Sequence, residues 1–354
     1  MTDIICPGRL DKKRSGRAKS RNKSSNSPKL AGLKSEWKLL SAMEQIITLI
    51  LDSGRTAVDL VLYVLLPVMV VMLSLMKLLE SKGVLGWISN RLSPLVKLFG
   101  VPGVGIFAML QILFVSFNAP VATLAIMDRD GTARRAIAAT LAVVLTMSQA
   151  NVVFPMAVVG LDVPVIMTTS LVGGLIAAAA TYYLFARDPA LDDDYSHAEH
   201  LAPELHEKKN VIQILSDGGQ EGVKIVIASI PLLILALCFV NLLKVTGSME
   251  LLTALLAPVL ALVDLPEATV LPIVTKFIAG GTAMMGVTID LINQGAMTAT
   301  DLNRIAGFII HPFDVAGIAI LMAAGKRVSS IARAAVFGAI VGILVRGVLH
   351  LLIF

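Results

Sequence analysis

The stretch PVMVVMLSLMKLLESKGVLGWISNRLSPLVKLFGVP, residues 67–102, recurs as PLLILALCFVNLLKVTGSMELLTALLAPVLALVDLP, residues 231–266. Pro67, Gly83, Pro94 and Pro102 return as Pro231, Gly247, Pro258 and Pro266 at one constant offset of 164 residues, without a gap. Leu73/Leu237, Leu78/Leu242, Leu79/Leu243, Leu92/Leu256 and Leu98/Leu262 keep that register, and Gly131/Gly295 extends it. The chain is therefore two copies of one unit. Internal duplication in a hydrophobic chain is the architecture of many secondary transporters, whose polar site lies where the copies meet.

The chain has 354 residues, 56% of them hydrophobic and only 16% charged, with mean hydropathy +0.81. These values exclude an ordinary soluble domain and point to an all-α, multi-pass membrane protein. Leu60–Met76, Ala136–Leu161, Val163–Ala186 and Ile225–Leu243 carry no charge, and each approaches the roughly 20 helical residues that cross a hydrocarbon core. Cys6 and Cys238, the two cysteines, provide neither a disulfide framework nor a cysteine metal site. Residues 1–42 hold 11 of the 30 Lys and Arg, leaving 19 basic against 22 acidic residues in the rest of the chain. The expected organisation is a basic disordered tail over 1–42, a first membrane repeat over 43–186, an acidic hydrophilic linker over 187–215 and a second repeat over 216–354. The tail suits contact with anionic headgroups or nucleic acid, or is simply solvated, or is a stretch upstream of a start at Met43. No nucleic-acid partner is expected for the membrane body, in which acidic residues outnumber basic ones.

Within the first copy, Val58–Leu79 reads as a span, preceded by an interfacial segment at Trp37–Leu51. Val84–Phe99, with Arg91 and Lys97, suits a helix in the headgroup layer. Gly103–Met127 is uncharged but interrupted at Ser116-Phe117-Asn118-Ala119-Pro120, which predicts a re-entrant hairpin, since broken backbone survives at depth where protein or a cavity satisfies it. The second copy repeats this plan, with breaks at Gly280-Gly281-Thr282 and at His311-Pro312. Each copy thus has about three spans, a surface helix and one hairpin. An odd number of spans inverts the second copy, whereas four spans would leave the copies parallel. In the hairpin scheme Lys82, Arg91, Lys97, Arg129, Arg134, Arg135, Arg187, Lys208, Lys209, Lys326 and Arg327 share one face, which the positive-inside rule assigns to the cytoplasm. The expected location is the inner, cytoplasmic membrane.

Candidate solute-binding residues cluster at the breaks. Half-helix ends expose unpaired backbone groups carrying about half a unit of charge. Ser116, Asn118, Gly280, Gly281 and Thr282 occupy the two hairpin turns, with Asn118 and Thr282 equivalent by the repeat. Lys276 and Asp290 lie on the arms of the second hairpin. An ionisable group at the bilayer centre costs about 2.5–3.5 kcal/mol on insertion scales, so Lys276 is expected to pair with Asp314, or His311 with Asp314. Gln149 and Asn151 mark a weaker polar break in the first copy. Asp192, Asp193, Asp194, His197, His200 and His206 in the linker match no closed metal geometry. No cofactor motif and no nucleophile–base set is visible, so an enzyme is not expected.

LLPVMVVMLSLMKLLESKGVLGWISNRLSPLVKLFGVPG at 65–103, SFNAP at 116–120 and GGTAMMG at 280–286 resemble the nucleoside-recognition or gate-domain proteins. That family includes the spore maturation proteins A and B and the gate segments of bacterial ferrous-iron transporter B. The order of elements is also similar to concentrative nucleoside transporters, in which an acid precedes Ala-Pro in the hairpin. Here Asn118 stands in that place. The resemblance implies a transporter for a small polar solute such as a nucleoside or related metabolite. Alternatively, it implies a membrane scaffold that holds partner proteins or further copies of itself.

Overall fold

The computed structural model describes residues 28–187 and 210–354, and the linker acids and histidines lie outside them. The chain divides into Met1–Ile47 and a compact unit, Thr48–Phe354, that contains both repeats. Helix α1 spans Pro28–Asp59, a π-helical stretch covers Leu60–Leu65, and α2 spans Leu66–Ser81. Helix α1 thus begins inside the segment read as an unstructured tail. Leu30, Leu33, Trp37 and Leu40 recur at helical spacing, a periodicity masked by the interleaved lysines, and Pro28 suits a first helical position.

The first repeat continues through α3 (Val84–Lys97), α4 (Gly103–Phe114), α5 (Pro120–Arg129), α6 (Arg134–Thr146), α7 (Ala150–Ala157) and α8 (Val163–Ala180). The second contains α9 (Val211–Val245), α10 (Ser248–Leu262), α11 (Val270–Asn293), α12 (Ala299–Ile309), α13 (Val315–Met322), α14 (Lys326–Ser330) and α15 (Ala332–Ile353). The sequence offset survives in the backbone. Gly83 and Gly247 start α3 and α10 with φ of 73° and 70°, a left-handed conformation that glycine adopts without a side-chain clash. Gly100 and Asp264, also one repeat apart, both take positive φ, as do Gly131 and Gly295.

Both predicted hairpins fold back. In the first, Thr123 Oγ1 on α5 donates to Gln111 Oε1 on α4 at 2.7 Å, buried between the arms. In the second, α11 turns at Gly280, whose φ of 84° and ψ of 179° break the helix. Arg304 in α12 donates to Val263 O and Asp264 O at 2.6 Å each. The segments before and after α11 therefore meet on one side, although Glu267–Asn293 is long and apolar enough to cross a bilayer. The membrane-crossing elements of the described residues are then Met43–Ser81, α6–α7 and α8 in the first repeat, and α9, α12–α13 and α15 in the second.

The copies are inverted. Ser74 Oγ donates to Leu215 O at 2.7 Å, Lys77 pairs with Glu221 at 3.3 Å, and Asn241 Nδ2 donates to Ser53 Oγ at 2.9 Å. From Ser53 to Ser74 the partner falls from Asn241 to Leu215, and from Met69 to Leu73 it falls from Gly222 to Gly218, so α2 and its repeat equivalent α9 run antiparallel. Parallel copies would orient such equivalents alike. Close approach is allowed by Gly218 and Gly222, where a β-carbon would meet the backbone of Leu73 and Met69 at 2.7 and 3.0 Å, as small residues do at membrane helix crossings. The loops agree. Arg135 Nε donates to Tyr182 O at 2.6 Å, and Asp128 Oδ1 accepts from Arg327 N at 2.8 Å, which puts these positive loops on one face. On the other, Asn303 Nδ2 donates to Gly160 O at 2.8 Å.

The inverted packing predicts that Ser53→Cys with Asn241→Cys forms an intramolecular disulfide on mild oxidation, seen as a mobility shift on a non-reducing gel. The pair Ser53→Cys with Asp217→Cys, which parallel equivalents would bring level, stays uncrosslinked.

Candidate functional site

The span α6–α7 is 94% buried over its most apolar window and forms the middle of the bundle. It breaks at Met147-Ser148-Gln149, where Met147 and Gln149 are extended. Its equivalent, α12–α13, breaks between Ile310 and Asp314. There Pro312 lacks an N–H and disfavours helix at the preceding residue. Asp314 restarts the helix as an N-cap, its Oδ1 accepting from Gly317 N at 2.8 Å, the usual use of aspartate at that position.

One arginine joins the two breaks. Arg346 in α15 is completely buried. Its Nη1 donates to Thr146 O and to Ile310 O at 3.2 Å. Thr146 and Ile310 are repeat equivalents, and each lies at or next to the C-terminal end of a broken helix, where partial negative charge collects. Its Nη2 donates to Ser148 Oγ at 2.6 Å, and that hydroxyl donates on to Ile310 O at 3.2 Å. Ser148 N donates to Ser170 Oγ at 3.1 Å. Space for the arginine comes from Gly173, where a β-carbon would overlap its side chain. One turn further along α15, His350 Nδ1 lies 2.6 Å from Asn303 O and Nε2 lies 2.9 Å from Thr169 Oγ1.

The residues expected at the site fall into three places. Lys276 on α11 pairs with Asp314 Oδ2, and the carboxylate faces Gly280, whose β-carbon would lie 3.8 Å from either oxygen. The Lys276–Asp314 alternative therefore holds. His311 does not pair with Asp314, because the helix stops before Pro312 and the two never share a face. Instead His311 Nδ1 accepts from Phe313 N at 3.1 Å, which leaves Nε2–H to donate to Phe308 O at 2.7 Å. Gln149 of the first copy packs directly on Gly281 of the second hairpin, where a β-carbon would overlap its amide nitrogen. Asn151 and Thr282, again from opposite copies, line one cleft with Leu65, Met69, Ile225, Val226 and Met285. Asn151 is 5% exposed, and its Oδ1 has no hydrogen-bond partner among the described residues.

The first hairpin turn stands apart. Ser116 is buried, with its N–H on Gln111 O at 3.0 Å and its carbonyl accepting from Ala119 N at 3.3 Å. Asn118 is exposed at the tip, because the turn projects it past both arms. Asp290 lies at the far end of α11 and accepts from Gln294 Nε2 at 2.7 Å. Sequence reading missed Arg346, Ser148 and His350. The available signal was a charge and a histidine inside the otherwise apolar run of residues 334–353.

Residues 62–179 match the family described as Gate: Nucleoside recognition. The match lies within the first repeat. CNTnw in an inward-facing, substrate-bound state shares the fold, with a TM-score of 0.61 at 19% identity over 90% of this chain and 85% of that one. A doubly substituted CNTnw in an outward-facing state gives 0.60 at 18% identity, over 90% and 86%. A singly substituted form in its intermediate 3 state gives 0.61 at 18%, over 89% and 85%. No curated protein matches the chain. The gate resemblance is borne out over the matched residues, which include 65–103 and 116–120, and so is the all-α multi-pass fold.

Two stability outcomes follow. Asp314→Ala strands the Lys276 ammonium and costs about 3–5 kcal/mol, whereas Lys276→Met combined with Asp314→Leu recovers most of that loss; denaturation midpoints in detergent measure both. Arg346→Met leaves Thr146 O without its side-chain donor and removes one of the two donors to Ile310 O and to Ser148 Oγ, at about 1–3 kcal/mol for a buried group left unpaired. Its unfolding temperature falls by several degrees, and Arg346→Lys recovers only part of the loss.

Proposed function

We propose that the protein is an integral membrane transporter that binds a small polar solute, a nucleoside or related metabolite, between its two inverted repeats. The observation that carries this reading is the cleft shared by Asn151 and Thr282. Each residue lies at a helix break, they come from opposite repeats, and the Asn151 carbonyl oxygen is buried with no donor among the described residues. An unpaired buried acceptor costs free energy that a solute N–H or O–H returns on binding. Apolar neighbours Leu65, Met69, Ile225, Val226 and Met285 offer a surface for the flat or aliphatic part of such a solute.

The cleft has a cavity volume of about 10 Å³, far below the roughly 300–1,000 Å³ of pockets that enclose a drug-sized ligand. A solute does not fit this conformation, and binding requires the repeats to part. A structural relative, CNTnw, has been observed substrate-bound and in inward-facing, outward-facing and intermediate states, so this fold admits such rearrangement. The positive face carrying Arg129, Arg134, Arg135, Lys326 and Arg327 lies on the cytoplasmic side of an inner membrane by the positive-inside rule.

Purified protein in proteoliposomes is expected to take up at least one member of a panel of nucleosides and nucleobases with saturation. Asn151→Ala and Thr282→Ala each raise the half-saturating concentration by about 5–30-fold, the value of one or two lost hydrogen bonds. Asn118→Ala, at the exposed tip, leaves it near wild type. Background uptake across the panel counts against transport.

A further inference from the structure

Carriers that couple solute movement to a cation seat that ion on oxygens freed by broken helices, chiefly unwound carbonyls and half-helix C-terminal ends. In this chain the carbonyls that end the two broken spans, and the carboxylate that restarts one of them, are engaged by its own side-chain cations. Thr146 O and Ile310 O, at the ends of the two broken helices, receive the Arg346 guanidinium. The Asp314 carboxylate is filled on one oxygen by Lys276 Nζ and on the other by Gly317 N at 2.8 Å. Lys276 and Arg346 are both 0% exposed, and Asp314 is 8% exposed. The titratable neighbours His311 and His350 have both ring nitrogens engaged, His311 by Phe308 O and Phe313 N and His350 by Asn303 O and Thr169 Oγ1.

Both cations belong to the second repeat. At the equivalent positions the first repeat has Ile112 for Lys276, Ala150 for Asp314 and Tyr182 for Arg346. The second repeat therefore brings a carboxylate into the bundle together with the ammonium that neutralises it. A metal ion arriving at Asp314 would meet Lys276 already seated there, and one arriving at the helix ends would meet Arg346.

We infer that Lys276 and Arg346 are fixed internal counter-cations that occupy the ligands of a coupling ion, so that the solute crosses without a co-bound Na⁺ or proton and equilibrates instead of accumulating. The inference rests on the reading of the Asn151–Thr282 cleft as the solute site, and its test contains an arm independent of transport. In proteoliposomes, uridine and adenosine uptake is measured under inward Na⁺, K⁺ or proton gradients and in choline alone. The expected result is an unchanged initial rate and a plateau at the external concentration in every condition. Accumulation above that concentration under any gradient overturns the inference.

The second arm is thermal unfolding of the full chain in detergent. Wild type and Lys276→Arg show the same midpoint in NaCl and choline chloride. Lys276→Met uncovers Asp314, and NaCl raises its midpoint by several degrees, as a ligand that binds only the folded state does. A Na⁺-induced rise in wild type, or none in folded Lys276→Met, also overturns the inference. Should Lys276→Met fail to fold, the wild-type and Lys276→Arg comparison still decides. Absence of uptake for every solute sinks the transport reading alone, because the unfolding comparison does not depend on it.

Discussion

The Arg346 guanidinium is the contact around which the bundle is organised. A helix interrupted inside a membrane leaves carbonyls that neither water nor lipid can satisfy, and each such group costs free energy. Two spans of this chain are interrupted at equivalent depth. A single buried arginine donates to Thr146 O and Ile310 O, one from each span, and takes in the Ser148 hydroxyl as well. The positive charge is in turn tolerable because it faces the negative ends of two helices. Each half of this arrangement would be unfavourable without the other.

Inversion of the repeats is what brings those ends together. Because α2 and α9 run antiparallel, the second copy is turned over relative to the first, and α6–α7 and α12–α13 enter the bundle from opposite sides. Their breaks then fall at the middle, where α15 can reach both. The same inversion lays Gln149 on Gly281 and sets Asn151 and Thr282 along one cleft. Polar latches hold the periphery, with Asn303 on the Gly160 turn and Asp128 on the start of α14.

The two copies share a backbone plan but not a chemistry. The first hairpin places Asn118 at an exposed tip, whereas the second brings Thr282 to the cleft and Lys276 to Asp314. Lys276, Asp314 and Arg346 have the uncharged counterparts Ile112, Ala150 and Tyr182. Duplication supplied the geometry, and divergence of the second copy supplied the charge.

Much of the scaffold could be read from residues alone. The offset of 164, the position-specific glycines and prolines, the uncharged runs and the loop positives determined the duplication, the hairpins and the spans, because helix length and backbone conformation are local properties. The break before Asp314 was visible for the same reason, since Pro312 disfavours helix wherever it sits. The break at Met147-Ser148-Gln149 carries neither proline nor glycine, so its depth and form depend on Ser170 and Arg346, which lie far away in sequence. Pairing is likewise a tertiary property. Spacing left Asp314 open to His311 or Lys276, and only the end of α12 at Ile309 and the fold of α11 chose Lys276. Arg346 looked like an isolated charge in an apolar helix, because its partners are backbone carbonyls, which every residue possesses and no sequence pattern marks.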